Sequence, residues 1–189
     1  MADEFIIIDF ETSGLSTDDG DRAIEVAALK IVDNEIVDEF ESLMNPNFHI
    51  SSRITRINGI SNEMLEDAPE NEEVISDLVD FIREAKHLVA HNASFDKKFL
   101  YSELDYAGID RNYDFLCSMK FARRLFPFAD NHKLITLLDY RGIEPSGDLH
   151  RAITDTKALY ELWVDMHNTL MDERGLDSLN LQYIKRYIG

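Results

Sequence analysis

The first strongly apolar stretch, Phe5-Ile6-Ile7-Ile8-Asp9-Phe10-Glu11-Thr12, reads as a β-strand that acquires two carboxylates one residue apart at its C-terminal end. Side chains alternate faces along a strand, so Asp9 and Glu11 share the face of Ile7. A buried strand is normally an unbroken apolar run, and two acids on one face repel each other unless a cation lies between them. The alternative ends the strand at Ile8 and leaves both acids in a solvated loop. Residues 12–21 carry turn chemistry throughout and put Leu15 beside the acidic strand end. Two Ile- and Val-rich runs over 23–32 and 35–44, joined at Asp33-Asn34, predict an antiparallel meander that Pro46 ends. Asn58-Gly59 then marks a turn, and Ser61-Asn62-Glu63 caps a short helix through Glu66.

Farther along, Val74, Leu78 and Ile82 at four-residue spacing predict an amphipathic helix over 71–85, followed by a short apolar strand at 88–90. A second helix over 94–108 directs Phe95, Phe99, Leu100, Leu104 and Ala107 inward. Asp96 falls on or beside that stripe, where an unpaired charge is costly. A strand at 115–118, a helix at 120–126 ended by Pro127 and a helix at 133–141 stopped by Gly142 follow. The loop at 143–149 delivers His150 to a long helix over 151–172, whose apolar stripe is Leu159, Leu162, Trp163, Met166 and Leu170. Four residues before Leu159 lies Asp155, a second helical acid on a core-facing stripe. Residues 1–172 read as one domain and 173–189 as a tail or short helix that packs on it or meets a partner.

Composition narrows the picture in three ways. With 189 residues and 44% hydrophobic content, the chain can bury a substantial core. Its 37 acids against 19 bases, a formal charge of -18, oppose a protein that grips long duplexes by their phosphates. No apolar stretch approaches the roughly 20 residues needed to span a bilayer, and Met1-Ala2-Asp3-Glu4 lacks a signal peptide's basic region. The expectation is a cytoplasmic protein without a membrane partner. The single cysteine, Cys117, excludes an internal disulfide and a cysteine-rich zinc site.

Four acids are therefore out of place in the same sense: Asp9 and Glu11 on a strand, Asp96 and Asp155 on apolar helix faces. A helical Asp beside an apolar stripe is most often a cap or a boundary residue. Together, and with His150, the four suggest a shared site. Oxygen donors without thiols select Mg²⁺ or Mn²⁺ rather than zinc.

Asp9-Phe10-Glu11-Thr12, His91-Asn92-Ala93-Ser94-Phe95-Asp96 and His150-Arg151-Ala152-Ile153-Thr154-Asp155 resemble, in order and separation, the three exonuclease motifs of the DEDDh 3′→5′ exonucleases. That family includes the proofreading epsilon subunit of bacterial DNA polymerase III and ribonuclease T. The resemblance spans about residues 5–166 and leaves the tail uncovered. It implies an α/β, ribonuclease-H-like fold with a mixed five-stranded sheet flanked by helices. It also implies two Mg²⁺ (or Mn²⁺) ions held by Asp9, Glu11, Asp96 and Asp155, with His150 as general base. Thr12, Leu15, Ile60, Asn92 and Phe95 match positions that in relatives support or contact the terminal nucleotide, whereas His91 is expected to be structural. The implied activity releases nucleoside 5′-monophosphates from single-stranded DNA 3′ ends. RNA trimming is the alternative, and a noncatalytic nucleic-acid-binding module a remote one. A DNA polymerase subunit or a second copy of the chain is the protein partner this leaves open.

Overall fold

The computed structural model describes residues 4–83, 85–145, 147 and 150–189. Strands β1 (Glu4–Thr12), β2 (Ala23–Val32), β3 (Glu35–Leu43), β4 (His87–Ala90) and β5 (Asp114–Cys117) form one sheet in the order β3-β2-β1-β4-β5. The first three make the expected antiparallel meander, whereas β4 joins β1 and β5 joins β4 in parallel. Asp33 and Asn34 both take positive φ, 51° and 64°, the geometry that lets a two-residue turn follow the twist of its strands. The sheet is therefore mixed, and β1 is central.

Side-chain alternation along β1 assigns the two faces. Phe5 and Ile7 pack with α5 (Ser118–Leu125), α6 (Leu134–Arg141), α7 (Ala152–Arg174) and α8 (Leu181–Ile188). Ile6, Ile8 and Phe10 pack on the other side with α3 (Asn71–Ile82) and α4 (Ser94–Tyr106). Asp9 and Glu11 continue the odd-numbered row and so face the α7 layer. Trp163 of α7, 1% exposed, anchors that layer, its ring centroid 5.6 Å from those of Phe5 and Phe121.

Several boundaries differ from the sequence pattern. The third helix ends at Ile82, with Arg83 in the left-handed region at φ 48°, rather than running to Ala85; Glu84 lies outside the described residues. Ser118 begins α5 instead of closing β5. Residues 146, 148 and 149 of the loop expected at 143–149 are also outside the described residues. The sequence pattern gave no helix at α1 (Ser52–Asn58), yet Ser51 caps one and Gly59 ends it at φ 75°. The tail forms α8, and Leu181 and Ile184 join the core beneath α5 and α7. Among the described residues no helix is long and apolar enough to cross a membrane.

Candidate active site

The sheet places the acidic row of β1 at the C-terminal ends of its parallel strands, where a β-strand gives way to a helix and ligand sites commonly open. A β-bulge marks the spot: Glu11 pairs with Glu25 but Thr12 with Ala23, which leaves Ile24 as the extra residue. The turn after β4 starts α4, whose first turn carries Asp96, 2% exposed. Its Oδ1 accepts the Phe10 amide at 3.3 Å, so the second acidic segment is tied directly to the first. From the opposite layer α7 supplies Asp155, whose Oδ2 accepts the His150 amide at 3.1 Å. His150 is exposed, with its backbone at φ 74°. Donor atoms of Glu11, His150 and Asp155 lie within 4.8 Å of one another. A cleft of about 280 Å³ opens between Asp9, His91, Lys133, Leu134, Ile135, His150 and Asp155.

Like charges this close perturb one another. Burial holds the Asp9 carboxyl well above the usual range, and repulsion from Asp96, Asp155, Glu11 and Glu25 pushes it further. Burial raises Glu11 to about 8 against a hydrogen bond from Asn58, and Asp96 to about 7 against backbone hydrogen bonds. Asp155 is raised as well, chiefly by burial, while the His150 amide and ring oppose the shift. Four carboxyls that resist ionisation together become carboxylates readily once a cation shares their space, and their oxygens suit a hard divalent ion. The loop reading of Asp9 and Glu11 fails because both lie within β1.

The expected substrate-contacting residues divide. Leu15 stands 82% exposed on a loop gathered around Asp21, whose carboxylate accepts the Ser16 amide at 2.9 Å and the Ser13 hydroxyl at 3.3 Å. A Cβ on Gly14 would meet that carboxylate at 2.2 Å, so any larger residue there would displace the Asp21 side chain from these contacts. Thr12 is buried, and its hydroxyl donates to the Gly14 carbonyl at 2.6 Å. Asn92 is exposed at φ 63°, and the half-buried Phe95 ring lies 4.9 Å from Phe99. Ile60 is fully buried with Ile24, Ile50 and Leu65, which fits support of the site rather than direct contact with a nucleotide. The Ile60 amide donates to Asn58 Oδ1 at 3.1 Å, and Asn58 Nδ2 donates to Glu11 Oε2 at 3.4 Å. This segment therefore supports the acid from behind.

His91 lines the cleft with both ring nitrogens engaged by the protein. Its Nε2 proton goes to the His132 carbonyl at 2.9 Å, and its Nδ1 lies 2.9 Å from the Ser118 hydroxyl. Burial lowers its pKa, which favours the neutral ring that this pairing uses. Sequence reasoning missed Glu25, fully buried inside the apolar run of β2, and its partner Arg151. An acid between Ile24 and Val26 was the available signal.

The sequence profile of a family described as exonuclease matches residues 6–163. The chain belongs to the exonuclease family. Asp9, Glu11, Asp96, His150 and Asp155 all fall within the matched residues. Among curated relatives, a PolC-type DNA polymerase III of Caldanaerobacter subterraneus is 38% identical over 177 residues, 94% of this chain but 12% of that protein. The PolC-type enzyme of Bacillus subtilis is 39% identical over 165 residues, 86% of this chain and 11% of its own length. The exonuclease thus spans about an eighth of the curated relatives it matches. Among solved structures, exonuclease X in complex with 5′ overhanging duplex DNA is 27% identical with TM-score 0.74, covering 98% of this chain and 99% of that one. The nuclease domain of 3′hExo, a DEDDh family member bound to rAMP, shares the fold at TM-score 0.76 and 19% identity, covering 94% and 96%.

Proposed function

We propose that this exonuclease trims single-stranded DNA from the 3′ end, releasing nucleoside 5′-monophosphates. Asp9, Glu11, Asp96 and Asp155 would hold two Mg²⁺ or Mn²⁺ ions, and His150 would act as general base. The observation that carries the reading is the convergence of four carboxyls: Asp9 and Asp155 line the cleft with His150, Glu11 has a donor atom within 4.8 Å of those of His150 and Asp155, and the charges of Asp96, Asp155 and Glu11 all act on Asp9. Bound there, divalent ions would supply Lewis-acid stabilisation of the scissile phosphate and lower the pKa of the attacking water.

The chain's own residues account for the rest. The imidazole of His150 takes the proton of the attacking water, a task matched to a group whose unperturbed pKa is about 6.5. The water oxygen forms the new bond to phosphorus, the bond from phosphorus to the 3′ oxygen of the penultimate nucleotide breaks, and that oxygen acquires a proton. Leu134 and Ile135 give the cleft an apolar wall against which a terminal base can stack without sequence preference. Exposed Lys133 is the cation of that lining and lies where a substrate phosphate would approach.

The likeness to PolC-type DNA polymerase III supports DNA as substrate and a polymerase as partner or neighbour. The deciding experiment digests matched DNA and RNA oligonucleotides, with paired and mismatched 3′ ends, in Mg²⁺ and in EDTA. Faster release from DNA, fastest at a mismatch and absent in EDTA, is expected. Equal or faster RNA digestion would move the assignment to RNA trimming, and release that persists in EDTA would overturn the metal reading.

A further inference from the structure

Glu25 is the most deeply buried acid near the cleft, at 0% exposure, yet its contacts exclude it from holding a metal. Its Oε1 accepts Arg151 Nε at 2.9 Å and Nη2 at 2.5 Å. Its Oε2 accepts Arg151 Nε at 3.2 Å and the Ala152 amide at 2.8 Å. Both oxygens are occupied and the charge is balanced by the guanidinium. Ala152 is the first residue of α7, whose opening amides have no intrahelical acceptor, and Arg151 at the cap position contributes no side-chain cap. A strand carboxylate thus does from across the fold what a capping side chain does locally.

The position of this cap matters for chemistry. Across the β1–β2 ladder Glu25 pairs with Glu11, so the clamp fixes α7 at the level of the acidic row. Asp155 follows Ala152 by three residues and His150 precedes it by two, and these two are themselves joined through the His150 amide. In the first turn of α7 only the small Ala152 is fully buried and Ile153 is partly buried against the core, whereas the large buried side chains run from Leu159 to Leu170. They hold the body of the helix, while the clamp holds the end that carries Asp155 and adjoins His150.

We infer that Glu25 and Arg151 are positioning residues of the exonuclease reaction: the clamp sets where Asp155 and His150 stand relative to Asp9 and Glu11, and so governs metal affinity and turnover rather than substrate binding. The inference rests on the proposed reading of the acidic cleft. An internal comparison exists in the same fold. Glu103, 1% exposed on α4, accepts Arg22 Nε, Arg22 Nη2 at 2.7 Å and the Ala23 amide at 2.9 Å, so the device is chemically the same. It lies seven residues from Asp96, however, about 10 Å along the helix. Its work is to fasten α4 to β2, at a distance from the acids.

The test uses the full chain with Glu25→Gln, Arg151→Lys, Glu103→Gln and Asp155→Asn. Mn²⁺ affinity is measured without substrate by electron paramagnetic resonance, kcat and KM on a 3′-labelled single-stranded DNA, and folding by the thermal transition. Partners that orient metal ligands typically contribute about 10–100-fold to metal affinity or activity, so Glu25→Gln should weaken Mn²⁺ binding and kcat by that order with KM within about twofold. Arg151→Lys should fall between it and wild type, because an ammonium cannot reproduce the fork of a guanidinium. Should Glu25→Gln fail to fold, Arg151→Lys carries the same comparison. Glu103→Gln should lower the thermal transition and leave Mn²⁺ affinity and kcat within about threefold. Wild-type affinity and kcat in both clamp variants, or equal losses in Glu103→Gln, would overturn the inference. Failure of the underlying site reading looks different, since Asp155→Asn would then bind Mn²⁺ and hydrolyse DNA as wild type does.

Discussion

Replacing Asp96 with asparagine removes one negative charge from the cleft and keeps an acceptor for the Phe10 amide, which now donates to Oδ1 at 3.3 Å. Burial raises the Asp96 carboxyl from 3.8 to about 7. At about 1.36 kcal/mol per tenfold change in proton affinity, ionising it in the folded protein costs about 4 kcal/mol more than in the unfolded chain. Asp9, whose carboxyl the charge of Asp96 helps to raise, titrates together with it, so about 2–4 kcal/mol is assigned to Asp96 alone. The folded carboxyl holds its proton more tightly than the unfolded one, so the metal-free protein escapes this cost below 3.8 and bears all of it above about 7. Stability in EDTA should therefore fall as pH rises through that window. The Asp96→Asn variant should exceed wild type by about 2–4 kcal/mol at pH 8 and by little at pH 4, measured by urea unfolding in EDTA. Adding Mn²⁺ should stabilise wild type much more than the variant, whose DNA hydrolysis should be lost. No gain at pH 8, or the same gain at pH 4, would refute the electrostatic account.

Further outcomes follow from the same geometry. Because the Glu11 proton, held up to about 8, must leave before a cation binds, Mn²⁺ affinity should rise by roughly tenfold or more between pH 6.5 and 8.5; titration by paramagnetic resonance showing a flat profile would contradict this. His150→Gln should lower kcat by about 10²–10⁴-fold with Mn²⁺ affinity near wild type, whereas a loss of affinity matching that of Asp155→Asn would make His150 a ligand instead of a base. Ile184, 1% exposed on the buried face of α8, should cost about 2–5 kcal/mol when cut to alanine, read by urea unfolding, with the activity of the folded fraction unchanged.

What could be seen in the sequence was local. The apolar run of β1, the Asp33-Asn34 turn and the stripe of α7 each declare themselves through periodicity, and the misplaced acids stood out against those same patterns. Glu25 interrupts the apolar run of β2 in the same way, but its role depends on Arg151, 126 residues away, and no local pattern predicts that pairing. The same holds for Arg22 and Glu103, 81 residues apart. The burial of Ile60 was likewise invisible locally: the bulge at β2 sends Ile24 toward it, and the two join Ile50 and Leu65 in a small core of their own. Helix α1 left little periodic signal because it is seven residues long, and only Asn58 within it is buried.

The order of the sheet also bears on how the cradle is assembled in time. The β1–β3 meander joins neighbouring segments and needs only short loops to close, so Asp9, Glu11 and Glu25 can come together early. The parallel pairing of β1 with β4 bridges about 80 residues and the seating of α7 on β1 and β2 spans more than 120, both of them slow closures. Asp96 and Asp155 thus reach the site last, with these slow closures. A cation that needs all four acids finds no complete cradle before the transition state, so divalent ions should retard unfolding while leaving the folding rate nearly unchanged.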